Sequence, residues 1–198
     1  RDLPGPKSIA PMVQIHDLRG QLPTRPGRPY YQRPLEGITG ITVHYTASPV
    51  ASGIEAVRAI ARYQVGPQVF DAEGNRIGGP QDPFPAIAYT LMVDGAGKVY
   101  QCHDLSIRAW HNVAVVNGVA RNASHIGIAI INDEEPDNTQ IGGLANAIKW
   151  CDAQLGKELA LEGHSDSYPT QCPGRTWPGE NGWFWGLMRR LSELKEVT

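Results

Sequence analysis

His125-Ile126-Gly127-Ile128-Ala129-Ile130-Ile131 is the stretch on which the fold turns. A strand with one wet face alternates apolar and polar residues, whereas this one is apolar almost throughout. Such a run predicts a strand buried on both faces, at the centre of a sheet. Upstream, Ala88-Tyr89-Thr90-Leu91-Met92-Val93 and Lys98-Val99-Tyr100-Gln101-Cys102 flank a turn at Asp94-Gly95-Ala96-Gly97, the pattern of a hairpin. Further upstream lies a β-branched run, Ile41-Thr42-Val43-His44-Tyr45-Thr46-Ala47-Ser48, which predicts a strand over about Thr39 to Thr46. The helix after it is expected to open at Ser52, with Glu55 completing a capping box, and to bury Ile54, Val57, Ile60 and Ala61.

Residues 66–85 are rich in Gly, Pro and Asp and read as a long loop, of the kind that walls a groove. Downstream, Ile141, Leu144, Ala145, Ile148 and Leu155 share one face of a helix over about Thr139 to Leu155. Phe184, Leu187, Met188, Leu191 and Leu194 do the same for a last helix starting near Asn181. The Trp183-Phe184-Trp185 cluster reads as packing for that helix. Strands and helices interleave, so the fold class is α/β: a single domain with a central mixed β-sheet flanked by about three helices. Residues 1–37 carry Pro4, Pro6, Pro11, Pro23, Pro26, Pro29 and Pro34, which exclude helix and interior strand. They are expected to form a proline-rich N-terminal arm that either wraps the domain or serves as a linker, with Met12-Val13-Gln14-Ile15-His16 as a short edge strand, and the domain proper runs over 38–198.

The 198 residues are 41% hydrophobic and 19% charged, the composition of a globular protein with a sizeable core. A formal net charge of −2 and the lack of any Lys/Arg cluster argue against a nucleic-acid partner. No apolar run approaches the roughly 20 residues that span a bilayer, so membrane insertion is not expected. Oligomeric state is not written in the chain. Cys102, Cys151 and Cys172 are too few for a disulfide scaffold. Cys102 and Cys151 either pair in an oxidising compartment or stay as two buried thiols.

The chemistry concentrates in Gly163-His164-Ser165-Asp166-Ser167-Tyr168-Pro169-Thr170-Gln171-Cys172-Pro173-Gly174. Pro169, Pro173 and Gly174 are expected to hold this stretch as a loop. Imidazole nitrogen and thiolate sulfur both suit Zn²⁺, and His44 at the end of its strand is a third candidate ligand. Three protein ligands leave a fourth tetrahedral position for water, at a site of net charge about +1. His111 is a rival, since a site of His44, His111 and His164 is also reasonable chemistry. His16 and His103 read as surface or loop residues, and His125 as a packing or capping residue. Trp110 reads either as a groove residue that stacks on a sugar or as core.

Four blocks, in order, resemble the type-2 N-acetylmuramoyl-L-alanine amidases, a family that includes phage lysozyme-amidases and peptidoglycan recognition proteins. They are Val43-His44-Tyr45-Thr46; Ile87 to Tyr100; Ala109-Trp110-His111-Asn112 with Ser124-His125-Ile126-Gly127-Ile128-Ala129; and the His164 to Gly174 loop. Together they span about 38–176. The resemblance implies an amidase fold like that of the recognition proteins and zinc held by His44, His164 and Cys172. It places His111, with Trp110 and Asn112, at the substrate groove. Tyr89 matches a tyrosine that reaches over the metal site in many members, and Thr170 a position that is lysine or threonine. A related branch uses a glutamate where this chain has Ala129, which leaves the catalytic load on Tyr89 and the zinc-bound water. The implied reaction is hydrolysis of the amide between N-acetylmuramic acid and L-alanine in bacterial peptidoglycan. The enzyme would act on the cell wall as a secreted, periplasmic or phage-released protein. Two other readings stand beside it: a recognition module that binds without cutting, and a zinc peptidase acting within the stem peptide.

Overall fold

The computed structural model of the chain describes residues 14–80 and 82–196. Six strands make the main sheet: β1 (Ile15–Asp17), β2 (Gly40–Tyr45), β3 (Leu91–Val93), β4 (Val99–Gln101), β5 (His125–Ile130) and β6 (Ala160–Gly163). Their order across the sheet is β1-β4-β3-β5-β2-β6. The β3–β4 hairpin is antiparallel and every other pairing is parallel, so the sheet is mixed.

β5 is buried along its whole length and pairs with β2 on one side and β3 on the other. Its two faces differ in size. Ile126, Ile128 and Ile130 point into one core with the long helices α2 (Asn138–Leu155) and α3 (Trp183–Glu196). Burial of each such side chain stabilises the fold by about 1.5–3 kcal/mol. Ala129 and Ile131 join a second core on the opposite face, under α1 (Ile54–Val65). On that face Gly127 and Ala129 take little space, and polar side chains fill the room they leave.

Several local expectations are corrected. Ser52 does not cap α1; Gly53 is its N-cap, at φ 88°. The Gly53 amide donates instead to Asp94 Oδ2 at 2.7 Å, from the hairpin turn far along the chain. The segment 66–85 is not wholly loop, because Val69–Phe70 pairs antiparallel with Arg76–Gly78. The stretch after β6 is not loop throughout either: His164–Ser167 forms one helical turn before Pro169. Asp166 Oδ2 accepts the Gly163 amide at 2.7 Å and so stabilises the start of that turn. α2 is closed at its N-terminus by a capping box of Asp137 and Gln140. In the last helix Trp183 is buried, whereas Trp185 is exposed. All three cysteines are free and buried, so Cys102 and Cys151 stand as separate thiols.

Part of the proline-rich arm belongs to the sheet. β1 runs parallel to β4 at the edge, with His16 stacked on Tyr100 at 5.2 Å between ring centroids. Met12 and Val13 of the expected edge strand lie outside the described residues. Arg33, also from the arm, is buried and donates through Nε to the Leu105 carbonyl and through Nη1 to the Asn122 carbonyl, each at 3.1 Å. The same Nη1 donates to the His125 carbonyl. Among the described residues, no helix is long and apolar enough to cross a membrane.

Candidate metal centre

The parallel strands β2 and β6 end at the same edge of the sheet, with Gly163 opposite Val43. Side chains just past such carboxyl ends meet in a crevice. His44 lies one residue before the end of β2, and His164 follows β6 directly. The chain then turns back, and the Ser165 amide donates to the Cys172 carbonyl at 2.8 Å. Ligand atoms of His44, His164 and Cys172 consequently lie within 4.8 Å of one another.

Three observations fit this trio to a metal ion. Cys172 Sγ is 3.6 Å from His44 Nδ1. Tetrahedral zinc, with Zn–S about 2.3 Å and Zn–N about 2.0 Å, would hold sulfur and nitrogen about 3.5 Å apart. His164 Nε2 is buried and finds no partner in the protein, a costly state for a polar atom unless something else binds there. The Tyr45 amide donates to Cys172 Sγ at 3.3 Å, a contact that strengthens when the sulfur is a thiolate.

Electrostatics point the same way. Burial first, and then the neighbouring His111 and His164, hold the His44 pKa well below 6.5. Burial also lowers His164, and it brings His111 down to about 3. All three rings are held neutral at pH 7, so each keeps one ring nitrogen without a proton. Burial pushes the Cys172 thiol up to about 12, only partly offset by the Tyr45 amide. Metal binding would therefore displace a proton from sulfur.

Tyr89 stands over the trio, with its ring centroid 5.4 Å from that of His44. Burial raises its pKa, so the phenol keeps its proton as a donor. Its partner is Gln64 of α1. Gln64 Oε1 also accepts the Ala88 amide at 2.8 Å, which holds this side chain in place beside the phenol. Gln64 was not foreseen from the sequence, although a polar residue seven positions after Val57 on the buried stripe of α1 was a signal. Thr170 is half-buried, and its Oγ1 accepts the Cys172 amide at 3.2 Å, shaping the ligand loop.

The Trp110-His111-Asn112 block divides. Trp110 is half-buried against Tyr30, at 5.8 Å, and Phe84, at 6.4 Å between centroids. His111 and Asn112, expected at a substrate groove, are 6% and 1% exposed. The Asn112 amide is held at both ends: Nδ2 donates to Ser167 Oγ and Oδ1 accepts the Ala114 amide, both at 2.9 Å. The first of these bonds ties the loop to the helical turn that begins at His164. His111 Nδ1 lies 3.1 Å from His44 Nε2, so the rival ligand touches the trio from behind. Glu162 completes the wall. Its Oε1 accepts from Thr42 Oγ1 at 2.9 Å and Ser167 Oγ at 3.0 Å, and its Oε2 pairs with Arg121 at 3.1 Å.

Two cavities open near the end of β2, one lined by Thr46 and the other by Tyr45. One of about 660 Å³ lies against α1, lined by Ala47, Pro49, Ala56, Ile60 and Gln64. The other, of about 340 Å³, is lined by Asp133, Glu135, Gln171 and Arg175.

Comparisons with known proteins bear on this arrangement. A search of curated proteins found no match. Among solved structures, peptidoglycan recognition protein SA of Drosophila is similar, with TM-score 0.63 and 20% identity over 83% of this chain and 87% of that one. The endolysin N-acetylmuramoyl-L-alanine amidase LysCS from Clostridium intestinale has TM-score 0.58 and 16% identity, over 91% and 97% of the two chains. Peptidoglycan recognition protein LE, solved with tracheal cytotoxin (a monomeric diaminopimelic acid-type peptidoglycan), has TM-score 0.57 and 16% identity over 83% and 94%. At these identities the likeness establishes the fold. The family model described as N-acetylmuramoyl-L-alanine amidase matches residues 32–175, which takes in the trio, Tyr89 and the whole sheet beyond β1. The chain belongs to the N-acetylmuramoyl-L-alanine amidase family.

Proposed function

We propose that this protein is a zinc-dependent amidase that hydrolyses the bond between N-acetylmuramic acid and L-alanine in bacterial peptidoglycan. The observation that carries the reading is the convergence of His44, His164 and Cys172 within 4.8 Å, beneath a protonated Tyr89. Family membership supplies the reaction class, and the complex of recognition protein LE with a peptidoglycan fragment supports the wall as partner. The site of action is then the cell wall.

Bound at these three residues, zinc would supply Lewis acidity and a water whose pKa falls towards about 7. The chain's own residues do the rest. Tyr89 donates its O–H to the oxygen on which negative charge develops, and Gln64 holds the phenol at the angle that permits it. Thr170 adds a weaker neutral donor from the ligand loop. With Ala129 on the central strand, no carboxylate there takes the proton of the attacking water. That proton passes to the leaving amine, directly or by way of Tyr89. Trp110 walls the groove, and the apolar cavity against α1 offers space for the stem peptide.

Digestion of purified peptidoglycan, with mass analysis of the products, tests the reading. Free stem peptides starting at L-alanine are expected, with loss on chelation and recovery on adding zinc. Cys172→Ser should abolish stoichiometric zinc. A protein that pulls down with peptidoglycan but leaves the sugar–peptide bond intact would be a recognition module. Cleavage only between amino acids would make it a peptidase.

A further inference from the structure

His111 and the backbone of His125 bear on the metal centre in a way that follows from donor and acceptor rules. The His125 carbonyl can only accept a hydrogen bond, and His111 Nε2 lies 3.0 Å from it. His111 must therefore carry its proton on Nε2. Its Nδ1 is then a bare acceptor, and it faces His44 Nε2 at 3.1 Å. His44 must in turn carry its proton on Nε2, which leaves Nδ1 as the lone pair facing Cys172 Sγ at 3.6 Å. Each step is forced by the one before.

The start of the chain is held firmly. Arg33 donates to the same His125 carbonyl and to the Asn122 and Leu105 carbonyls beside it, so the acceptor cannot swing away. The His111 ring is pressed on the strand at Gly127, where a Cβ would sit 2.5 Å from His111 Cγ. Among the described residues, no carboxylate hydrogen-bonds either ring, so nothing draws in a second proton.

We infer that His111 is a positioning residue, which fixes His44 as the Nε2–H tautomer and turns Nδ1 to the metal. It acts through His44 and is neither a fourth ligand nor a groove residue. The inference rests on the zinc site proposed above. Partners of this kind change metal affinity by about 10- to 100-fold.

The test uses the full chain with ¹⁵N-labelled histidine. In the metal-free protein, long-range ¹H–¹⁵N correlation spectra should show His44 and His111 both protonated on Nε2. In His111→Phe, which removes the acceptor, His44 should lose that single tautomer, and zinc affinity in chelator competition should fall about 10- to 100-fold. His111→Asn places an amide oxygen near the position of Nδ1 and should recover most of both. Thermal melts confirm that each variant is folded.

An Nδ1–H tautomer of His44 in the wild-type spectrum overturns the inference. So does wild-type affinity in a folded His111→Phe. If both His111 variants lose zinc as completely as Cys172→Ser, His111 is a ligand and the inference also falls. Should the wild-type protein bind no zinc, the metal reading fails by itself, while the metal-free spectra still decide the tautomer.

Discussion

Gly127 and His111 are fitted to one another: a methyl group on Gly127 would lie 2.5 Å from Cγ and 2.8 Å from Cβ of the histidine. The ring can lie against β5 only because that strand lacks a side chain at this position. Gly127→Ala should force the ring away, at about 1–3 kcal/mol of stability for an overpacked core site. Zinc affinity, read by chelator competition beside thermal melting, should fall with it. In the double variant Gly127→Ala/His111→Ala, which removes Cγ and the ring, part of the overpacking should be relieved. Equal losses in the single and double variants would place the clash elsewhere.

Tyr89 and Gln64 make a second pair whose roles can be separated. Tyr89→Phe keeps nearly all the buried area and should leave fold, zinc and binding intact. Turnover on a defined muramyl peptide should fall by about 100- to 1,000-fold, the usual loss for one transition-state donor. Gln64→Leu should cost less, since the phenol remains but is no longer aimed. On top of Tyr89→Phe it should add almost nothing to the turnover defect. Turnover of Tyr89→Phe within about threefold of wild type, under ~1 kcal/mol, would return the tyrosine to a packing role.

The proton on Cys172 gives zinc binding a pH signature. With the thiol pKa pushed up to about 12 and the two histidines depressed, the ligands enter neutral pH as one thiol and two free imidazoles. One proton should leave on binding, so affinity should rise about tenfold for each pH unit between 7 and 9. Calorimetry in buffers of different ionisation enthalpy counts that proton. Release of none would mean a sulfur already ionised in the metal-free protein.

Acid should weaken the metal-free protein through the same buried rings. His111 has a folded pKa of about 3 against an ordinary value of 6.5. Between these values the unfolded chain holds a proton that the folded chain refuses, so stability is complete above about 6.5 and declines as pH falls. For this one proton the slope approaches about 1.4 kcal/mol per pH unit. His44, also depressed, adds to it in the same direction. Denaturant melts at pH 7.5, 6 and 5 check this, and His111→Asn should flatten the decline. A flat profile down to pH 5 would contradict the burial argument.

What the sequence disclosed follows from the range of the interactions involved. β5, the β3–β4 hairpin and the stripes of α2 and α3 were legible because periodicity and turn residues act within a few positions. His44, His164 and Cys172 were legible as candidate ligands by residue type, and their order along the chain carried the family resemblance. Ser52 failed as a cap because Asp94, remote in sequence, takes the amide that starts the helix. Gln64, Arg33 and Glu162 escaped notice because each acts on a partner brought near only by the sheet. The setting of His111 was hidden for a related reason. Its surroundings depend on a backbone carbonyl and a missing side chain, and neither leaves a mark in a motif.

The pairing of β1 with β4 has a practical consequence for anyone shortening the chain. β4 has hydrogen-bonding groups on its outer side, and in this fold Ile15–Asp17 occupy them. A chain cut at residue 38, the boundary expected from the prolines, would lose that cover along with Arg33. The main sheet would then end in a bare edge beside the apolar Val99 and Tyr100, open to strands from other molecules. Such a trimmed protein should form oligomers and precipitate at concentrations where the longer one remains monodisperse.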